Sequence, residues 1–495
     1  MKNYKFKTIF LATSLALFAQ SVCADPASYV HTSGATVVDI NNADSNGLSH
    51  NMWKDFNVSN KGMILNNSMV DLVREKGNIA KNGNLTSSAK VILNEVISKK
   101  SSALNGFIEV GGLKADVIIS NPNGIICSGC SFINTNRTTL TTGIPVMDRE
   151  GALSSFKVTK GNITINKSMT ADYTTLLADS LKINGKIKSN SVLAMAGNYI
   201  YSSANGNLEV MTKAASTGID VSALGGITAG TIFLASTNTG AGVNNKGTLN
   251  AQALQINSNG KITNAGTIES ASVAIFNSSG DFTNDAQGKI ISHGDIAVAS
   301  RTDITNQGSI SSQSGTIDMK AGSSSSDNSL SGLISNLFTS SGNITNSGTL
   351  KSGKNIQLSS TKNVKLKKGT LDAGNLVYIA SDKVNNATAI KGTQINVISN
   401  AFENTGTMQA SAKMGIIGQN SIANYGTLKA DTLALSTSGS LVNNKCSLIP
   451  FTGKGTLAAT NLIIRAPKLT SINQIGGNIP SANISFNAPA TTARK

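Results

Sequence analysis

The sequence predicts an all-β protein, a right-handed parallel β-helix (β-solenoid). Three observations carry that expectation: a degenerate repeat of about twenty residues, alternating apolar runs between its turns, and a long stretch without proline. The repeat has the form φ-x-N-x-G-[TS]-φ. It reads VNNKGTL at Val243–Leu249, ITNAGTI at Ile262–Ile268, ITNQGSI at Ile304–Ile310, ITNSGTL at Ile344–Leu350, FENTGTM at Phe402–Met408 and IANYGTL at Ile422–Leu428. The asparagines 245, 264, 306, 346, 404 and 424 are separated by 19, 42, 40, 58 and 20 residues, close to one, two, two, three and one periods. A weaker copy, FTNDAQGKI at Phe282–Ile290, fills one gap.

Between the turns lie Leu254-Gln255-Ile256, Val273-Ala274-Ile275, Ile296-Ala297-Val298, Ile395-Asn396-Val397 and Leu433-Ala434-Leu435. Alternation with period two places Leu, Ile and Val on one face of a strand. One such strand cannot bury its face alone, whereas stacked coils close an apolar column. Glycine allows a corner that a β-carbon would resist, and the asparagine amide can ladder with its equivalent in the next coil. No proline occurs between Pro145 and Pro450, as a continuous backbone ladder requires. At ~4.8 Å per coil, some fifteen coils over 160–475 would make a rod on the order of 70 Å. The Ser-rich stretch 323–341 is expected to leave the rod as a loop, with Leu330, Leu333, Ile334 and Leu337 in a short amphipathic turn.

Composition agrees. The 495 residues exceed one compact core; charged residues make up 14% and aromatic residues 4%, yet 39% are apolar, too many for a disordered chain. Lys2, Lys5 and Lys7, the apolar run Ile9–Ala19 and Val22-Cys23-Ala24 fit a signal peptide over 1–24. Without that segment the charge of +16 falls to +13, on scattered lysines with no aromatic residues interleaved. That pattern fits a solvated basic surface, so no specific nucleic-acid partner is expected.

Residues 25–160 are less regular, and the expected division is this module capping a β-helix over 161–475, followed by an irregular tail over 476–495. Gly47–Ser68 (GLSHNMWKDFNVSNKGMILNNS) and Asn82–Gly143, with NPNGI, a Cys pair, FINT-x-R and TLTTG in one register, resemble the amino-terminal secretion domain of the filamentous haemagglutinin family. That resemblance implies a two-partner secretion exoprotein. It would cross the inner membrane by the Sec machinery, bind the periplasmic domains of a dedicated outer-membrane β-barrel transporter, and fold at the cell surface.

The resemblance carries over residue by residue. Asn121, Pro122, Asn123, Gly124 and Ile125 stand in the family's NPNGI secretion motif; Asn-Pro and Asn-Gly also form turns, so the motif is either a fold element or a transporter contact. Asn82, Gly83, Asn84 and Leu85 correspond to a second motif, NPNL, with glycine in place of proline. His50-Asn51 and Phe56-Asn57-Val58 match the opening block, whose expected role is packing. Cys127 and Cys130 match a pair present in a subset of the family. A C-x-x-C can be redox-active, zinc-binding or a disulfide; a structural disulfide is the expectation, because no βαβ setting is apparent and His31, His50 and His293 lack ligand spacing. Cys446 is then left over.

The chain offers no H-E-x-x-H, no phosphate-cradling loop and no G-x-S-x-G. It is therefore expected not to be an enzyme and to need no cofactor. The leading function is a surface adhesin that binds a host-cell or bacterial surface receptor. The alternatives are a secreted haemolysin or the truncated stick of a contact-dependent growth inhibition toxin.

Overall fold

The computed structural model describes residues 25–211, 218–240, 242–322, 341–444 and 455–487. The expected signal peptide, most of the Ser-rich stretch and Cys446 lie outside the described residues.

Nearly every strand joins one parallel sheet that winds through successive coils. A single corner column can be followed through it. It runs Val58, Leu104, Cys127, Ile165, Ile183, Val221, Asn245, Asn264, Asn284, Asn306, Asn346, Leu366, Asn386, Asn404, Asn424 and Asn443. At ~4.8 Å per level this is a rod on the order of 70 Å. Thirteen of its levels, Ile165 to Asn443, fall within 160–475 rather than the fifteen expected, because part of the chain is spent on excursions from the rod. The interior is an unbroken apolar column, exemplified by Ile268, Ile290, Ile310, Leu350 and Leu371, all fully buried.

The asparagine corner is a hydrogen-bonded ladder. Each Nδ2 donates to Oδ1 of the next: Asn245 to Asn264, Asn264 to Asn284 and Asn284 to Asn306 at 2.8 Å, and Asn306 to Asn346 at 2.7 Å. It resumes from Asn386 to Asn404, Asn404 to Asn424 and Asn424 to Asn443 at 2.7–2.8 Å. Several of these amides also cap their own turns, as Asn404 does by donating to the Gly406 carbonyl. These groups are buried, so the pairing removes what would otherwise be a large desolvation cost. The adjacent glycine is required by close approach: a β-carbon on Gly266 would lie 2.1 Å from the Gly247 carbonyl oxygen of the preceding coil.

Strand alternation places Leu254, Ile256, Ile296, Val298, Ile395, Val397, Leu433 and Leu435 in the core as expected. One coil is shifted. Within Thr267–Ser278, the run 273–276 buries Ala274 and Phe276, which align with Ile296 and Val298, while Val273 and Ile275 face outward. Phe276 packs edge-on against Phe282, ring centroids 5.4 Å apart, and this larger pair sets the phase.

Parallel pairing begins at Thr36–Asp39, well inside the irregular module. Ser28–Val30 pairs antiparallel with that strand and covers its edge. Two excursions, Ile144–Met147 with Leu153–Val158 and Tyr199–Ser202 with Leu208–Val210, meet as a separate four-stranded antiparallel sheet. It lies on the outside of the solenoid, where Phe156, Val158 and Tyr199 pack with Leu93, Ile118, Leu177 and Met195 in a second core. The carboxyl-terminal region is not wholly irregular: Asn483–Phe486 is a further parallel strand on Thr456–Arg465, and Phe486 packs against the main core.

Candidate secretion turns, corner disulfide and outer cleft

Asn121 is fully buried at the turn before the strand Ile125–Cys127. Its Nδ2 donates to the Lys100 carbonyl and to Ser102 Oγ, both at 2.9 Å. Its Oδ1 accepts from the backbone N–H of Asn123 at 2.9 Å, and Gly124 N–H closes the turn on the Asn121 carbonyl at 3.0 Å. Asn123 Nδ2 points back to the Ser98 carbonyl at 2.8 Å. Gly124 has φ +115°, a region that strongly favours glycine, and Ile125 enters the core. Pro122 is half-buried between the two asparagines. Both amides are thus directed into the fold.

Asn82–Leu85 repeats this arrangement. Asn82 Nδ2 donates to the carbonyls of Ile40 and Asn66 at 2.9 Å, and its Oδ1 accepts from Asn84 N–H at 2.9 Å. Leu85 N–H closes the turn on the Asn82 carbonyl at 3.3 Å, and Asn84 Nδ2 reaches the Ile40 carbonyl at 3.3 Å. Gly83, in the place of Pro122, leaves open space where a β-carbon would stand.

The fold uses more buried amides than the two turn motifs contain. Asn67 donates to the carbonyls of Ala89 and Leu113 and accepts from Ala89 N–H, stitching three segments together. Asn94 receives the Trp53 indole N–H at 3.1 Å. In the opening block Asn51 accepts from Asn41 N–H, Asn57 accepts from Ala103 N–H, and Phe56 stacks edge-on with Trp53. His50 instead lies outside the core and pairs with Glu95 at 2.8 Å.

Cys127 and Cys130 are joined by a disulfide with Cα atoms 5.5 Å apart. Cys127 stands in the corner column between Leu104 and Ile165, and Cys130 in the adjacent apolar column beside Met169. Both are buried, so the bond links two core columns across one corner.

A cleft of about 290 Å³ lies between the solenoid and the antiparallel sheet. Its floor holds Leu48, Val91, Ile118 and Leu177, and Phe156 and Tyr201 stand on the other side. Asp116 accepts from Arg137 N–H at 3.2 Å. Burial raises the Asp116 pKa, more than its contacts with Arg137 lower it. Burial likewise raises the Tyr201 phenol, against a lowering influence of Arg137. No sequence signal marked this cleft, because its two walls come from segments far apart in the chain.

The first coils of the solenoid thus carry two asparagine turns, a corner disulfide and an external sheet. The model of the TPS secretion domain matches residues 20–270, half of the chain. The chain therefore belongs to the TPS, or two-partner secretion, secretion domain family and is a two-partner secretion exoprotein. It is 31% identical to the 16S rRNA endonuclease CdiA of Enterobacter cloacae over 82% of this chain and 12% of that protein. To the toxin CdiA of Yersinia pestis it is 41% identical over 48% of this chain and 8% of that protein. The chain thus spans only a small part of these relatives' length. The crystal structure of the filamentous hemagglutinin secretion domain aligns with 26% identity and a TM-score of 0.43, covering 66% of this chain and 94% of that one.

Proposed function

We propose that the chain is the client of a dedicated outer-membrane transporter, reached by a signal peptide over 1–24 and the Sec machinery. The first coils form the unit that the transporter's periplasmic domains recognise. The rod beyond them is a surface-displayed stalk that acts as an adhesin toward a host-cell or bacterial receptor. The observation that carries this reading is the secretion-domain match over 20–270 on a ladder that continues through Asn443. A chain that adds coil upon coil can fold progressively as it emerges.

The two asparagine turns act in this scheme as fold elements. Their amides are committed to Lys100, Ser102, Ser98, Ile40 and Asn66, which favours a role in shaping the recognised surface over direct contact through those side chains. The region is read as non-enzymatic; the nuclease activity in one relative's name is said of that protein.

A second reading, the stick of a contact-dependent growth inhibition toxin, is favoured by the names of the relatives. Co-expression with the cognate transporter, followed by protease accessibility on intact cells, tests export; a chain retained in the periplasm would overturn it. Binding of exporting cells to target cells without growth inhibition supports the adhesin. Inhibition in co-culture supports the toxin stick, and lysis of target cells by released protein would point instead to a haemolysin.

A further inference from the structure

We propose that a notch on the corner of the rod, with Lys365 and Lys367 at one end and Glu403 at the other, binds an acidic glycan that carries one carboxylate for every two sugar rings. The notch is built by folded coils and so acts after export. The inference rests on the surface-stalk reading above and deepens it by naming the chemistry of the receptor.

The corner departs from its own repeat at this place. Leu366 stands where the neighbouring coils carry Asn346 and Asn386. The turn that follows is also longer: three residues separate Leu366 from Thr370, against two between Asn346 and Thr349 and two between Asn386 and Ala389. Gly369, at φ +79°, folds the longer turn back. Lys367 and Lys368 stand exposed on it, whereas the next two coils place only Ala387 and Thr405 just past the corner. A tall wall beside two low ones leaves a notch of about 340 Å³, within the range of ligand pockets.

The charges of the notch are sorted by end. Lys365, Asn385 and Glu403 lie in register on three successive coils, so the lysine and the carboxylate are two coil steps apart, ~10 Å along the rod. Among the described residues neither lysine, nor Glu403, enters an ion pair. An anion is drawn to the end where Lys365 and Lys367 flank Leu366. At the other end Glu403 accepts hydrogen bonds and repels a second anion, while Asn385 and Thr405 can both donate and accept.

A ligand that suits both ends carries a carboxylate and, one ring away, hydroxyl donors. Chains dense in phosphate or sulfate would bring a second anion against Glu403. No aromatic side chain lines the notch, so nucleobases find no stacking platform. The lysine stems and the Ala387 methyl offer aliphatic surface to the C–H faces of sugar rings.

The test titrates the full mature chain with a hyaluronan tetrasaccharide, in which glucuronate alternates with N-acetylglucosamine. The comparison ligands are free glucuronate, the neutral N-acetylglucosamine tetramer and a heparin tetrasaccharide. Saturable binding of the hyaluronan fragment is expected, tighter than that of the other three. Lys365→Gln combined with Lys367→Gln should weaken it about tenfold. Lys289→Gln combined with Lys429→Gln removes the same charge from exposed positions elsewhere on the rod and should leave binding unchanged. Ala387→Trp should fill the notch and abolish binding, and Glu403→Gln should strengthen binding of the heparin fragment. Equal losses in the two double-lysine variants, or heparin bound more tightly than hyaluronan by the wild type, would overturn the notch. Equal affinity for free glucuronate would overturn a glycan chain as its ligand. Adhesion of exporting cells that is indifferent to the Lys365 and Lys367 substitutions overturns the notch and leaves the adhesin reading standing. Binding by the purified chain without adhesion of exporting cells does the reverse.

Discussion

Asn346 and Leu366 occupy the same corner position in successive coils, and the amide ladder that reaches Asn346 stops there because Leu366 can neither donate nor accept. It restarts at Asn386. Restoring the missing rung with Leu366→Asn exchanges a buried leucine, about 1.5–3 kcal/mol, for two amide bonds of about 0.5–1.5 kcal/mol each. The net change in unfolding free energy should be within about 1 kcal/mol. Leu350→Asn, in a purely apolar column, should lose about 3 kcal/mol or more. Equal losses in urea unfolding would show that the ladder does not transmit through this corner.

The turn at Asn121 invites a similar test. Asn121→Ala removes two donated and two accepted bonds at a buried site, and about 2 kcal/mol of stability should go with them. Asn123→Ala should cost about 1 kcal/mol. Surface release should fall in proportion to stability. If Asn123→Ala blocked release with an unchanged unfolding midpoint, the side chain would have to act on the transporter directly.

Gly83 offers the opposite experiment. Because the space beside it is open, Gly83→Pro, which recreates the sequence of the second turn, should gain about 0.4–1 kcal/mol by restricting the unfolded chain. A lower melting temperature would show that the two turns differ in backbone shape.

Removing the disulfide with Cys127→Ala and Cys130→Ala should cost about 2 kcal/mol, the loop-entropy value for so short a loop. Hydrogen exchange should report the loss chiefly in the coils around Leu104, Ile165 and Met169, which pair with the two cysteines in the ladder. Uniform loosening of the rod would contradict a local clamp.

Asp116 sets a pH signature. Its pKa is raised in the folded chain, so the folded state binds its proton more tightly than the unfolded state does. This contribution to stability therefore falls as pH rises from the ordinary aspartate range through the folded value. Asp116→Asn should raise the melting temperature at neutral pH and show no advantage in acid, where wild-type Asp116 is already neutral. Thermal melts between pH 3 and pH 7, spanning the ordinary aspartate pKa of about 3.9, would settle the sign.

Much of the rod could be read from residues because its corner repeats one side chain in one place. Asn264, Asn306 and Asn424 announce their coils and also hold them together. Earlier coils use Leu104, Cys127, Ile165, Ile183 and Val221 at the same position, and apolar residues there carry no turn signal. The external sheet was illegible for another reason: Phe156 pairs with Tyr201 across a long sequence separation, and short apolar runs do not name their partners. Likewise Val273 and Ile275 satisfied the alternation rule, but the bulk of Phe276 decided the phase. Of the candidate site, the turns and cysteines were visible as motifs. The direction of their amides, and the cleft, depend on neighbours brought in by folding.

The short strand Ser28–Val30 has a consequence for how copies of this protein meet. An uncovered parallel strand is a template onto which any similar edge can zip, and a rod with two such ends would polymerise head to head. By lying antiparallel along Thr36–Asp39, this strand blocks that edge with a pairing of the wrong polarity for another coil. The strand Thr36–Asp39 of the first coil thus has a stopped edge, whereas the far end of the described rod carries Asn483–Phe486 as a further parallel strand. That asymmetry directs the addition of coils within the chain away from Thr36–Asp39.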